Sequence, residues 1–330
     1  MTIRVGVAGI GSYVPERTVT NHDLEKVVDT SDAWIVQRTG IRERRIASDD
    51  QCSSDLATEA SRMALEDAGV DASEIGLVIV ATATPDQQFP ATALRVIENL
   101  GCENAGGWDL SAACSGFVFA VQAAAQYIRT GSMGAVLVIG VETLSRIMNY
   151  EDRTTCILFG DGAGAVVLTP HDRTDGGMEY LAAYMGSAPD RDAIIQPGGG
   201  SRIPASHESV DSGAHFLQMD GRRTFKFAVR TFADLVRRSV ADHGGASELG
   251  IVVPHQMNQR IIEAAADRLE LPIELFFSNV ASFGNTSAAS IPIAMRDAKE
   301  AGRFAAVRGK LACMCAFGSG LSFGYFLLRV

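Results

Sequence analysis

Residues 72–80, Ala-Ser-Glu-Ile-Gly-Leu-Val-Ile-Val, return as residues 246–254, Ala-Ser-Glu-Leu-Gly-Ile-Val-Val-Pro. The offset is 174 residues (246 − 72). Each copy follows a helical stretch and a Gly-containing turn, ALEDAGVD before the first and SVADHGG before the second. The same offset lays LSAACSG (110–116) on GNTSAAS (284–290), and the strand-like AVLVI (135–139) on GKLAC (309–313). FGDG (159–162) resembles FGSG (317–320) at an offset of 158, so the second copy is shorter by 16 residues (174 − 158) over that interval. A period this long does not make a solenoid. It predicts two fused copies of one α/β unit, each running helix, apolar strand, helix, apolar strand, Gly-rich turn, strand. Short β-branched strands alternating with helices predict buried sheets covered by helices. The two units, placed at 1–172 and 173–330, should pack face to face about a pseudo-twofold axis. The helices that follow Leu110 and Asn285 would then be equivalent and central.

Composition narrows the function. The chain has 330 residues, 47% apolar and 21% charged, the profile of a globular protein with a large core. A net charge of −10 argues against non-specific nucleic-acid binding. No apolar run approaches the ~18 residues of a membrane span, and the opening MTIRVGVAG has no signal-peptide core. The six cysteines (52, 102, 114, 156, 313, 315) form no CxxC pair and read as free thiols of a reducing compartment, so a cytoplasmic location is expected. The segment from Ser187 to Ala214, with Pro189, Gly198–Gly200, Pro204 and Gly213, predicts a long surface excursion, either a functional lid or a mobile insertion.

Two glycine clusters fail as phosphate cradles. Gly9-Ile10-Gly11 is followed by Pro15 rather than a helix start, and Gly160–Gly164 leads into the strand-like AVVLT. A cradle needs a helix N-terminus, so both read as turns and a nicotinamide enzyme is excluded.

Cys114 is different. It sits in SAACSGF (111–117), between a strand-like GGWDL and the helical FVFAVQAAAQYI. Amides at a helix N-terminus stabilise a thiolate. An isolated Cys is more often an inert core residue, but His255 and Asn285 change the weighting. His255 directly follows the second apolar repeat strand, at the C-terminal end where α/β active sites collect. Asn285 opens the second central helix, facing the first, where it would also suit an N-cap. The chain order Cys, His, Asn fits a papain-like protease or a thiolase-fold condensing enzyme. The protease pattern wants a C-G-S/A-C context that AACSG lacks, and it has no internal α/β duplication.

The chain resembles the β-ketoacyl-acyl-carrier-protein synthase III family over essentially its full length. The resemblance is carried by TSDAWIVQRTGIRER (30–44), AACSGF (112–117), DRTTCILFGDGAGA (152–165), VPHQMNQRI (253–261), GNTSAASIP (284–292) and AFGSGLSFG (316–324). It implies a thiolase-like fold with α-β-α-β-α layers and an acyltransferase that condenses an acyl-CoA primer with malonyl-acyl-carrier protein, without a metal or other cofactor. By the same resemblance Cys114 is the acyl acceptor, His255 and Asn285 handle the malonyl thioester, and the amides of Cys114 and Gly320 form the oxyanion hole. Trp34 and Arg153 would sandwich the adenine of coenzyme A, Arg38 would contact it at the tunnel mouth, and Asn258 would bind the pantetheine arm. Phe89 would cross a homodimer interface and close the primer pocket. Gly318–Ser319–Gly320 replaces the frequent triple glycine, Met257 stands where Ala is usual, and the 187–214 loop exceeds that of the shortest members. Those departures bear on primer size. A related enzyme of secondary metabolism, loading an unusual starter, is the alternative.

Carrier docking has its own signal. Arg222, Lys226 and Arg230 recur at i, i+4 and i+8, one face of a helix. With Arg260 they are expected to meet the acidic helix of a carrier protein.

Overall fold

Ala72–Glu74 and Ala246–Glu248 each close a 3-10 turn, and each turn delivers the chain into a wholly buried strand. The structure, a computed structural model, describes residues 2–174 and 177–330. Nine strands matter here: β1 Val5–Tyr13, β2 Leu77–Ala81, β3 Gly106–Leu110, β4 Val136–Glu142, β5 Gly162–Pro170, β6 Met178–Asp190, β7 Leu249–Pro254, β8 Leu311–Gly318 and β9 Gly320–Arg329. They form one sheet in the order β7-β8-β9-β6-β1-β5-β4-β2-β3. α1 Asp32–Thr39 packs beside it on the cluster of Leu144, Met148 and Phe159, and six helices pack on it: α2 Ser53–Ala68, α3 Thr92–Leu100, α4 Gly116–Arg129, α5 Gly221–Ala241, α6 Gln259–Leu269 and α7 Ser290–Glu300.

The duplication is visible in the pairing. β3, β2 and β4 run parallel, then β5 and β1 are antiparallel. β7 and β8 run parallel, then β9 and β6 are antiparallel. The halves join where Val5–Val7 pairs with Met178–Tyr180. His171–Arg173, next to the expected boundary at 172/173, is a 3-10 turn.

Side-chain alternation sorts the layers. Leu77, Ile79 and Ala81 of β2 share a core with Ile251 and Val253 of β7, Ala312 and Met314 of β8, and the helices α4 and α7. Val78 and Val80 instead face α2 and α3, while Val252 and Cys313 face α5 and α6. The order is therefore helix, half-sheet, central helices, half-sheet, helix, the thiolase-like arrangement. Each fully buried Val, Leu or Ile contributes about 1.5–3 kcal/mol, and a one-residue slip would exchange the inner and outer faces. Small residues let the layers meet: Ala120, Ala124 and Ala125 of α4 have no exposed surface.

In the second half the residues at the offset of β3 fold as the helical turn Val280–Phe283, and a single parallel bridge joins Val252 to Phe276. One expectation needs correction. Ser187–Asp190 is not loop but the end of β6, where Ser187 pairs with Ser322. Further on, Ile194–Ile195 pairs with Gln218–Met219. The duplicated sheet architecture also removes the papain-like reading.

Candidate active site

Both central helices begin at the same strained turn. Ala113 has φ +45° and Ser287 φ +47°, left-handed values that cost a non-Gly residue about 1–3 kcal/mol. Each lies at the start of a 3-10 turn, Ala113–Ser115 or Ser287–Ala289, that runs into α4 or α7. Support is reciprocal. A Cβ on Gly140 of β4 would lie 2.2 Å from Ala288 O, and one on Gly318 of β8 would lie 2.8 Å from Cys114 N. The first half thus cradles the second half's turn, and the second half cradles that of the first.

Cys114 and Asn285 line one cavity of about 340 Å³, with Ser287, Met257, Phe317 and Gly320 among its walls. Ile194–Gln196 and Leu217 border it as well, so part of the 187–214 segment reaches the cavity wall. Cys114 is 9% exposed. Burial pushes its thiol up to about 12; the Ser287 side chain pulls it down and the charge of Glu142 pushes it up. Desolvation is the largest influence and favours the thiol, against the pull toward thiolate that the helix N-terminus exerts.

His255 ends β7 and anchors its N–H on Cys315 O at 2.8 Å. It does not line the cavity surface. Its ring stands edge-on to Phe317, 5.8 Å between centroids, and is wholly buried. Nδ1 lies 2.6 Å from Ser290 Oγ, which also accepts the Gln256 N–H at 3.3 Å. That hydrogen bond ties down Nδ1 and leaves Nε2 buried and without a partner among the described residues. Burial pushes the imidazole pKa down to about 3, so the ring is neutral.

Asn285 is held by backbone on both sides: its N–H donates to Leu158 O at 2.8 Å, and Gly160 N–H donates to its carbonyl at 3.0 Å. Its Oδ1 accepts the Ser287 N–H at 2.8 Å. The contact is a turn two residues long rather than the helix N-cap expected, since α7 starts at Ser290. With Oδ1 committed, Nδ2 is the group left to donate.

Trp34 of α1 stacks with both expected arginines: the guanidinium carbons of Arg38 and Arg153 each lie 5.4 Å from its ring centroid. Arg153 is also tied to Asp29, at 3.2 Å from Oδ2. Asn258 donates from Nδ2 to Arg38 O at 3.1 Å and caps α6 through Oδ1. Trp34 packs on the apolar cluster of Leu144 and Phe159, which reach the cavity wall. Phe89 is 83% exposed, on the loop after β2, and does not line its own chain's cavity. Arg222, Lys226 and Arg230 share one exposed face of α5. Arg223 is taken by Asp190 and Arg237 by Asp234, whereas those three have no carboxylate partner among the described residues. Arg260 leans on Phe225, 6.0 Å from the ring centroid.

Four residues escaped the sequence reading: Glu142, Ser287, Ser290 and Phe317. Glu142 had a usable signal, a lone carboxylate ending the apolar strand VLVIGVE. Ser287 had another, as the offset partner of Ala113 beside Cys114.

Comparison with known proteins agrees with this fold. Residues 108–189 match the family 3-Oxoacyl-[acyl-carrier-protein (ACP)] synthase III, and residues 242–330 match its C-terminal domain. The chain is 46% identical over 330 residues to a Beta-ketoacyl-[acyl-carrier-protein] synthase III of Caldanaerobacter subterraneus subsp. tengcongensis, covering 99% of this chain and 98% of that one. It superimposes with a TM-score of 0.89 at 42% identity on the 3-oxoacyl-[acyl-carrier-protein] synthase III of Aquifex aeolicus VF5, covering 99% of this chain and 100% of that one. It superimposes with a TM-score of 0.90 at 36% identity on the priming beta-ketosynthase of the R1128 polyketide pathway, covering 99% and 97%. Fold and site define a thiolase-fold condensing enzyme. The chain belongs to the β-ketoacyl-acyl-carrier-protein synthase III family. No helix among the described residues is long and apolar enough to cross a membrane.

Proposed function

We propose that this chain condenses an acyl-CoA primer with malonyl-acyl-carrier protein, initiating fatty-acid synthesis through an acyl-Cys114 intermediate. One observation supports this most strongly. A cysteine on a strained turn shares its cavity with a carboxamide, and behind the wall lies an imidazole whose one free nitrogen has no protein partner.

Cys114 attacks the primer thioester and coenzyme A leaves. The tetrahedral oxyanion meets the Cys114 amide and the Gly320 amide of the close-packed Gly318–Gly320 turn. Losing one such donor typically costs about 2.7–4 kcal/mol of barrier. The carrier-bound malonyl group then loses carbon dioxide. The resulting enolate oxygen takes hydrogen bonds from His255 Nε2–H and Asn285 Nδ2–H. Both donors are neutral, so neither holds back the departing carboxylate by charge. The carbanion attacks the acyl-Cys114 thioester, and the β-ketoacyl product leaves on the carrier.

Trp34, Arg153, Arg38 and Asn258 are the coenzyme A contacts in this reading. The aromatic face and the two guanidiniums suit a purine and its phosphates. Arg222, Lys226, Arg230 and Arg260 dock the carrier. Phe89, too exposed to serve its own cavity, closes the primer pocket of a second copy in a cytoplasmic homodimer. A starter-loading enzyme of secondary metabolism is a second reading, favoured by the likeness to the R1128 priming enzyme and by Met257 in the cavity wall. Turnover with malonyl-acyl-carrier protein across a panel of acyl-CoA primers tests both. Acetyl or short branched primers support the first, and a single unusual starter supports the second.

A further inference from the structure

Arg44 is the largest wholly buried side chain among the described residues, 1% exposed, and no carboxylate pairs with it among them. Burial pulls its guanidinium down to about 10, which leaves it charged at neutral pH. A buried charge costs several kcal/mol unless its hydrogen-bonding groups are filled, and a guanidinium carries five N–H donors in a fixed fork. Arg44 spends them on three acceptors. Nη1 donates to Val19 O at 3.2 Å and to Asn21 Oδ1 at 2.9 Å, and Nη2 donates to Ile157 O at 2.7 Å. Nε has no partner. Val19 is a local contact, directly across the short ladder of Thr18–Thr20 with Glu43–Arg45. Ile157 is not: it stands 113 residues away in the chain.

Ile157 precedes the segment that holds Asn285. Leu158 O accepts the Asn285 N–H, the Gly160 N–H donates to Asn285 O, and Phe159 and Asn285 form a parallel bridge that belongs to no strand. The Arg44 stem packs against that bridge. A Cβ on Gly160 would lie 3.0 Å from Arg44 Cβ, and one on Gly284, which has φ +63°, would lie 3.5 Å from it. The far end of the segment is tied to the same stretch of chain: the Asp161 N–H donates to Arg45 O at 2.8 Å, and Asp161 Oδ2 accepts the Ala47 N–H at 2.8 Å. Residues 44–47 thus form a rail along 157–161, and Asn285 is paired to the segment that the rail holds.

We propose that Arg44 is a positioning residue for Asn285: by holding Ile157 O it sets the 158–160 bridge from which Asn285 reaches the cavity. Arg44 does not line the Cys114 cavity and touches no substrate in this reading. The proposal rests on Asn285 serving decarboxylation. There the carboxamide must meet an enolate oxygen at hydrogen-bond distance, and a misplacement of about 1 Å can cost about 100-fold in rate. Cys114 sits on the other half's turn, packed against Gly318 of β8, so acylation does not depend on the rail. The planar fork fixes three acceptors at set angles. An ammonium on a flexible stem does not.

The experiment compares wild type with Arg44→Lys, Asn285→Ala and the double variant that carries both substitutions. It measures decarboxylation of malonyl-acyl-carrier protein and acylation of Cys114 by acetyl-CoA, each at saturating substrate. Arg44→Lys keeps an aliphatic stem beside Gly160 and Gly284 and keeps the charge, but loses the fork. It should slow decarboxylation by about tenfold or more and leave the acylation rate unchanged. In the Asn285→Ala background the same substitution should cost nothing further, because an effect carried by Asn285 disappears with it. A merely structural role would instead lower both half-reactions together and add to the loss in Asn285→Ala. Asn21→Ala removes one acceptor of the fork and leaves Arg44 on Ile157, and it covers the case in which Arg44→Lys does not fold. It should show a smaller loss of decarboxylation that also vanishes beside Asn285→Ala. Unchanged decarboxylation in the folded variants, parallel loss of both half-reactions, or additive losses in the double variant overturn the positioning role alone. An Asn285→Ala protein that decarboxylates normally overturns the enolate role of Asn285 and this proposal with it.

Discussion

Ala113 and Ser287 stand 174 residues apart and hold the same left-handed backbone, φ +45° and +47°. One precedes Cys114; the other precedes Ala288, which occupies the equivalent place in the second half. The duplication has kept both turns and placed a thiol on only one. The second turn brings Asn285 and Ser287 to the cavity that Cys114 lines.

That arrangement makes Gly140 a sensitive point. A methyl group there would drive into Ala288 O, and overpacking of this kind costs about 1–3 kcal/mol. Gly140→Ala should lower the melting temperature and slow acylation together, because the displaced turn carries Asn285 and Ser287. Thermal denaturation beside an acetyl-CoA burst assay checks both.

Removing His255 or Asn285 should separate the two half-reactions. His255→Ala and Asn285→Ala are expected to reduce malonyl-carrier decarboxylation by about 100-fold or more while acylation of Cys114 persists. Ser290→Ala frees Nδ1 and should give a smaller decarboxylation loss, about tenfold. Normal decarboxylation in both alanine variants would remove the enolate role.

The neutral His255 has a pH signature. The unfolded chain binds this proton below about 6.5, and the folded protein does not until about 3. Stability should therefore fall as pH drops through that window, and His255→Gln should flatten the slope. Decarboxylation should show no inflection from His255 between pH 6 and 8. Chemical denaturation and rate measurements across pH 4–8 test the two statements.

Lys226→Glu with Arg222→Glu should raise KM for malonyl-acyl-carrier protein by about tenfold or more, with a strong salt dependence, and leave acyl-CoA transacylation intact. Equal loss of both activities would remove the docking role from α5.

Phe89→Ala should widen the range of primers accepted. The chain-length profile of the acyl-enzyme measures it, and an unchanged profile would take Phe89 away from the primer pocket.

The repeat at 72–80 and 246–254 made the doubled sheet and its central helices legible, because buried strands must be apolar and the copies kept their register. Cys114, His255 and Asn285 were legible because each ends or begins an element at a position fixed by the offset. The helical turn Val280–Phe283, at the offset of β3, was not, since nothing in the repeat distinguishes it from a strand. The state of the thiol was also hidden. A helix N-terminus can be read from a sequence, but the burial that opposes it depends on walls such as Phe317 and Met257, contributed from distant parts of the chain. Glu142 escaped for the same reason: its donors come from residues 82–84 and 287, far from its own strand.

The most direct measurement is intact-protein mass spectrometry after mixing wild type and Cys114→Ala with acetyl-CoA. The wild type should gain one acetyl group, mapped to Cys114 by peptide digestion, and the alanine variant none. Acetylation of the Cys114→Ala protein at the same stoichiometry, or an unlabelled wild type that still makes product, would contradict the acyl-Cys114 intermediate.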